Sequence, residues 1–442
     1  MSKRANETQD LVSENKRSRS SAAKEGHTED CTDELCKGCD VGEVEISFVR
    51  KDADGKPIDT EPSAQELLAM AIDEAGKDKN NDNDDENNGI ARRLFDMAIE
   101  KYQKDEPENR VGYATCLVEL GKTIQVEESI SEGLEVLRGE LKTKKDDKDV
   151  LLKAASAAIA LATSMRKRQQ AYFDQQEAEL EDEDEMDDVA YEELVEKQKL
   201  SKEEIKLYKE AIERINQAFT DIDKDDEAFL KEAQTVMHEL RGYGQLFTEE
   251  LHEEHSNAVL NTVISSLQKL PDYEKDDELL TLWAACLLHQ EKFLIEHEEK
   301  SAILEKVDDL LIKANKLHLA KNGKENPWVW ELYAMLRINQ SAVTSDEDAA
   351  VDMYDEAILA FKKAAALSPE NPKLAKMVTM LQDMQKAMEE YEEDPEENEG
   401  IHAPEGYEER YRKENVVLED KQLFERGIAD PKVELKDLFE KK

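Results

Sequence analysis

The stretch "YDEAILAFKKAAALSPENP", residues 354–372, places small and aromatic residues at fixed steps. Ala357 is followed by Phe361 at +4, Ala364 at +7 and Pro369 at +12. At 3.6 residues per turn the first three share one helix face, and a proline cannot continue the helix. Any amphipathic helix puts apolar residues at such intervals, so the spacing decides the fold only if the chain repeats it.

It does repeat. Ala91, Phe95 and Ala98 take the same +4 and +7 steps, with Pro107 four residues late, and Val307, Leu311 and Ala314 take them again. A second pattern precedes these helices: Tyr113, Cys116, Leu117 and Leu120; then Trp283, Cys286 and Leu287; then Trp330, Tyr333 and Ala334 in a segment opening at Pro327. These are the registers of the second and first helices of a tetratricopeptide unit, where small side chains let neighbouring helices approach closely. The spacing predicts about thirteen helices, roughly six antiparallel pairs, between residues 62 and 393. The fold class is all-α: a divergent tetratricopeptide-like helical-repeat solenoid with a disordered N-terminal tail and acidic insertions.

Within it, Pro62 and Ser63 open a first helix that Gly76 closes, residues 77–88 form a solvated loop, and Gly121 ends the helix after Arg110. A long helix occupies 148–176, a charged helix lies near 190–218, and "NQSAVTSDEDAA" (339–350) is an extra loop inside the last pair.

Of 442 residues, 39% are hydrophobic, 6% aromatic and 38% charged, which suits units that bury one face and solvate the other. The net charge of −46, from 106 acidic against 60 basic residues, excludes non-specific binding to a phosphate backbone and hence direct DNA binding. Basic proteins such as histones are its electrostatic partners; plain solubility of a long helical chain gives the same composition. Five cysteines without a disulfide framework predict a reducing compartment. No apolar run approaches the roughly 18 residues of a membrane helix, so no membrane is expected.

The domain reading is a 1–60 tail, a first helical part at 61–176, an acidic linker or insertion at 177–188, a second helical part at 189–393, and an acidic tail at 394–442. The tail holds short candidate docking helices in "NVVLEDKQLF" and "VELKDLF". Nine of the twelve residues in 177–188 are acidic, and like charges at that density repel. In "VEISFVRKDADGKP" (44–57) alternation and an Asp-Gly turn predict a short strand or hairpin. The first 24 residues reverse the sign of the chain, with six basic groups against three acidic ones. Lys3-Arg4 and, after an eleven-residue spacer, the cluster Lys16, Arg17 and Arg19 have the form of a bipartite nuclear-localisation signal read by an importin. They predict a nuclear protein, one that can also shuttle to the cytoplasm.

Few constellations carry chemistry. His27, Cys31, Cys36 and Cys39 hold enough ligands for tetrahedral zinc, but their order matches no zinc module, and reduced thiols in a tail are the plainer account. His252 and His255 are three apart rather than the four of a zincin helix and read as surface residues. Neither a glycine-rich phosphate cradle nor a nucleophile signature is present, so no cofactor, no metal and no catalysis are expected. For contacts with a partner protein the candidates are Trp328, Arg337 and Asn339; tryptophan is enriched at binding hot spots, and Trp330, by its register, belongs to the core.

A basic tail, a divergent helical body broken by an acidic run, and a late unit built as "NPWVWELYAMLRI" followed by "MYDEAILAFKKAAAL" together resemble the fungal enhancer of translation termination family. The similarity is one of layout over much of the chain and of residues in the late unit. It implies a nuclear, non-catalytic adaptor that binds a prolyl-hydroxylase-like 2-oxoglutarate oxygenase and so regulates translation termination and hypoxic gene expression. Two alternatives stand beside it. An acidic histone chaperone would use the 177–188 run and bind with steep salt dependence. A carboxylate-clamping co-chaperone would use Arg337 and Asn339, but the recurring basic and amide set of such a clamp is missing.

Overall fold

The computed structural model describes residues 50–51, 57–58, 61–78, 84–181, 195–369 and 371–393. The basic clusters at Lys3, Arg4, Lys16, Arg17 and Arg19, the His27–Cys39 cluster, most of the 177–188 run and the 394–442 tail lie outside these residues. Among the described residues the protein is all-α apart from a two-residue antiparallel ladder that pairs Arg50 with Ile58 and Lys51 with Pro57. The ladder falls at the end of the segment in which alternation predicted a hairpin.

Thirteen helices of fifteen residues or more follow among the described residues. They are α1 (Ala64–Asp78), α2 (Asp84–Lys104), α3 (Arg110–Ile124), α4 (Glu127–Leu141), α5 (Lys148–Glu181), α6 (Lys202–Ala218), α7 (Glu227–Gly244), α8 (Glu253–Leu267), α9 (Asp277–Glu291), α10 (His297–Asn322), α11 (Pro327–Val343), α12 (Glu347–Leu367) and α13 (Pro372–Glu393). They divide between two compact units, Met1–Glu140 and Leu141–Lys442.

In the first unit Ser63 and Glu66 form a reciprocal capping box: the Ser63 N–H donates to Glu66 Oε2 at 2.8 Å and the Glu66 N–H to Ser63 Oγ at 3.3 Å. The repeated register is the core here. Ala91, Phe95 and Ala98 are each fully buried, against Ala64, Leu67 and Ala71 of α1. α1 runs past Gly76 to Asp78, and α2 begins at Asp84, so the last part of the expected 77–88 loop is helical. Gly121 does not end its helix. α3 continues to Ile124, and Gln125, at φ 55°, makes the left-handed cap. Gly121 serves the packing instead, since a Cβ there would lie 2.5 Å from Ile130 Cγ1 and 2.9 Å from the Val126 carbonyl. Gly133 of α4 likewise meets Val118 and the Ala114 carbonyl of α3.

In the second unit consecutive helices from α7 onward pack on each other, and helices two apart also meet: α5 with α7, α6 with α8, α7 with α9, and α9 with α11. That is the contact pattern of stacked helix pairs. Val307, Leu311, Ala314, Trp330, Ala334, Ala357 and Ala364 are fully buried in one core, where Phe361 and Tyr333 are 1% exposed. The division of the chain falls at Glu140, whereas α5 and α6, on either side of the acidic run, pack together inside the second unit. α5 extends to Glu181, five residues into that run, and α6 starts at Lys202. The extra loop expected at 339–350 shrinks to three residues, because α11 runs to Val343 and Asp346 caps α12, accepting from the Ala349 N–H at 3.2 Å.

Candidate interaction surface

α11 and α13 open on the same words: Glu325-Asn326-Pro327 and Glu370-Asn371-Pro372. In each helix the asparagine side chain accepts from the backbone N–H two residues on, Trp328 at 3.0 Å and Lys373 at 3.2 Å, and proline fills the first turn, where its missing N–H costs nothing. Equivalent positions then have equivalent burial: Val329 with Leu374, Tyr333 with Val378, Leu336 with Leu381. So Trp328 and Lys373 stand at the same place in successive first helices.

Trp328 is half-buried, and two side chains of α7 lie against it. The His238 ring centroid is 5.6 Å from the indole and the Arg241 guanidinium 5.4 Å. His238 Nε2 also faces Glu278 at 3.4 Å, at the start of α9. Burial lowers the Arg241 pKa and raises that of the Glu331 carboxyl, on which Arg241 and Lys373 both act in the opposite direction. α7, α9, α11 and α13 thus present together an indole, a guanidinium, a carboxylate and an ammonium. A stacked, desolvated Arg–Trp pair of this kind gives flat apolar area with directed donors, which suits protein recognition.

The three residues expected to meet a partner are differently placed. Trp328 sits on this surface. Arg337, nine residues and about two and a half turns further, falls on the opposite side of α11, where its Nε pairs with Glu356 at 2.8 Å and its guanidinium stacks on Tyr333. Asn339 donates to Glu291 at 3.0 Å, and Glu291 also pairs with Lys300 at 3.3 Å. Both are tied into the helical stack. Sequence reasoning missed Arg241 and His238, whose only signal was a three-residue spacing on one helix.

The two histidines read as surface residues need correction for His252, which is 2% exposed. Its Nε2 meets the Gln198 carbonyl at 3.0 Å, and burial pushes its pKa down to about 4. His255 pairs with the Tyr208 hydroxyl at 2.6 Å. Around them lies a buried charge network. Arg166 binds Glu204 through two 2.8 Å hydrogen bonds and donates to Gln198 O at 3.0 Å, and Tyr243 donates to Glu204 at 3.0 Å. The network ties α5, α6 and α7 to the chain that returns after the acidic run. Cys116 and Cys286 are buried thiols, each pushed up to about 12 by burial, the opposite of a reactive thiolate. Among the described residues no cluster of three or more His, Cys, Asp or Glu has the arrangement of a metal site, and no helix is long and apolar enough to cross a membrane.

No protein-family model matches the sequence, and no curated protein does. Among the solved structures that align with the chain are two of the same protein. One is of S. pombe Nro1, described as a nuclear import adaptor, at 12% identity and a TM-score of 0.37, over 72% of this chain and 99% of that one. The other, of Nro1 as the hypoxic regulator of sterol synthesis that is a nuclear import adaptor, gives 12% identity and a TM-score of 0.38, over 71% of this chain and 92% of that one. The assignment of an all-α helical-repeat fold rests on this chain's own helices and their packing.

Proposed function

We propose that this chain is a non-catalytic nuclear scaffold of tetratricopeptide-like helices that binds a prolyl-hydroxylase-like 2-oxoglutarate oxygenase, and thereby acts on translation termination and hypoxic gene expression. The identity of the partner and of the pathway comes from the family resemblance; the mode of action comes from the fold. One observation carries that mode: Trp328 and Arg241, from different helices, are stacked on one partly exposed surface of consecutive first helices. Helical-repeat stacks bind other proteins through such surfaces.

Affinity purification from native extract, washed at low and at high salt, tests it. A 2-oxoglutarate oxygenase or termination factors retained through the high-salt wash by the wild type, and lost with Trp328→Ala, is the expected result. Failure to retain either removes the proposed partners. Nuclear import through an importin is part of the same reading; a Lys16→Ala, Arg17→Ala, Arg19→Ala variant that stays wholly nuclear shows that these residues are not the main signal.

A second reading, an acidic histone chaperone, draws on the position of the 177–188 run. It is inserted between two packed helices, and the returning chain at Lys197 and Gln198 is bonded to Gln169 and Arg166 of α5. Core histones abundant at low salt and lost at high salt would favour it.

A further inference from the structure

Arg241 has no hydrogen-bond acceptor for its guanidinium among the described residues, and its Nε is buried and unpaired. Glu331 acts on it only at a distance: no ion pair joins them, and burial rather than pairing dominates the Glu331 carboxyl. Lys373 adds a second positive charge beside Glu331. α11 extends this surface with Met335 and Ile338, half-buried at seven and ten residues from Trp328. No carboxylate of this surface pairs with Arg241, and Trp328 and Met335 are only partly covered by the core they pack against. The surface's complement is a short segment in which apolar residues adjoin acidic ones.

The chain supplies such a segment. Residues 394–442 follow α13, and among them stands "ENVVLED" (414–420). From Lys373 to the end of α13 is about 30 Å at about 1.5 Å per residue. The twenty residues between Glu393 and Glu414 span up to about 66 Å when extended, so the segment reaches back with slack. Tethering holds it at an effective concentration in the millimolar range, where a weak contact is occupied.

We propose that residues 414–420 dock on the Arg241–Trp328 surface as a tethered occupant, with Glu419 or Asp420 accepting from the Arg241 guanidinium and Val416, Val417 and Leu418 covering Trp328 and Met335. This rests on the reading of that surface as a protein-binding one, and it makes a partner compete with the chain's own tail.

Hydrogen exchange followed by mass spectrometry on the full chain tests it. Amides of 414–420 should exchange at least about tenfold more slowly than in a synthetic peptide of residues 412–424. Arg241→Met should abolish the protection, and so should Glu419→Lys with Asp420→Lys, which leaves the helical body untouched. Exchange in the full chain as fast as in the peptide overturns the proposal. So does protection that survives both sets of substitutions, because another surface would then hold the segment. Protection that grows with protein concentration overturns the tethered form, since the segment would then sit on a second copy. No partner enters this measurement, so a chain that retains no oxygenase leaves its outcome intact. The tail variant should retain more partner than the wild type in the affinity experiment if both readings hold.

Discussion

Two imidazoles in the second unit are held neutral by burial. His252 is pushed down to about 4, and His289, whose Nε2 meets the Phe247 carbonyl at 2.9 Å, to about 3, with the Lys292 charge adding to burial there. Both values lie below the ordinary 6.5, so the unfolded chain binds more protons and stability falls as pH drops from about 6.5 toward the folded values. At pH 5 each group should cost about 2 kcal/mol relative to pH 7. His289→Gln and His252→Gln should each flatten a urea-measured stability profile between pH 7 and 5, and an unchanged slope would contradict this. The Arg166–Glu204 pair makes a second prediction. With both side chains nearly inaccessible, at 4% and 2% exposure, Arg166→Met leaves a buried uncompensated carboxylate and should cost about 3–5 kcal/mol. Arg166→Met combined with Glu204→Leu should recover a substantial part in the same urea titration.

The helices of the stack depend on how they start and how closely they meet. Asn326 and Asn371 each satisfy a first-turn N–H, so Asn326→Ala should lower stability by about 1 kcal/mol, read as a drop in melting temperature. Gly121→Ala should destabilise by about 1–3 kcal/mol although alanine is the better helix former, because the added methyl meets Ile130 and a backbone carbonyl. If that alanine stabilised the protein, propensity would outweigh packing and the close approach of α3 and α4 would be wrong. The repeated Glu-Asn-Pro openings of α11 and α13 are a signal of local sequence alone. They mark α13 as a first helix of a further unit, a point that the apolar spacing by itself does not make.

For the whole molecule, a net charge of −46 repels itself. Screening shortens from about 30 Å at 0.01 M to about 10 Å at 0.1 M salt, so adding salt over this range should raise the melting temperature. A fall instead would show that attractive ion pairs outweigh the repulsion. Partner binding has its own salt signature: a Trp328-centred contact should persist where a histone contact is lost.

The sequence by itself determined the helical class and most of the core. Small and aromatic residues at +4 and +7 face the core wherever helices stack, and Ala357, Phe361 and Ala364 are buried as their spacing requires. Periodicity is a local property, and the chain carries it without help. Boundaries were less legible: Gly121 and residues 344–350 look like breakers, yet close packing and an aspartate cap keep them in or at the start of helices. Only the tertiary structure brought Arg241 and Trp328 together. Arg241 and Trp328 are 87 positions apart, and nothing in either local pattern pairs them. Arg337 and Asn339, equally polar in sequence, were withdrawn by partners on other helices. Whether a polar side chain is available depends on what the fold brings within hydrogen-bond reach of it, and that is settled by long-range packing rather than by neighbours in the chain.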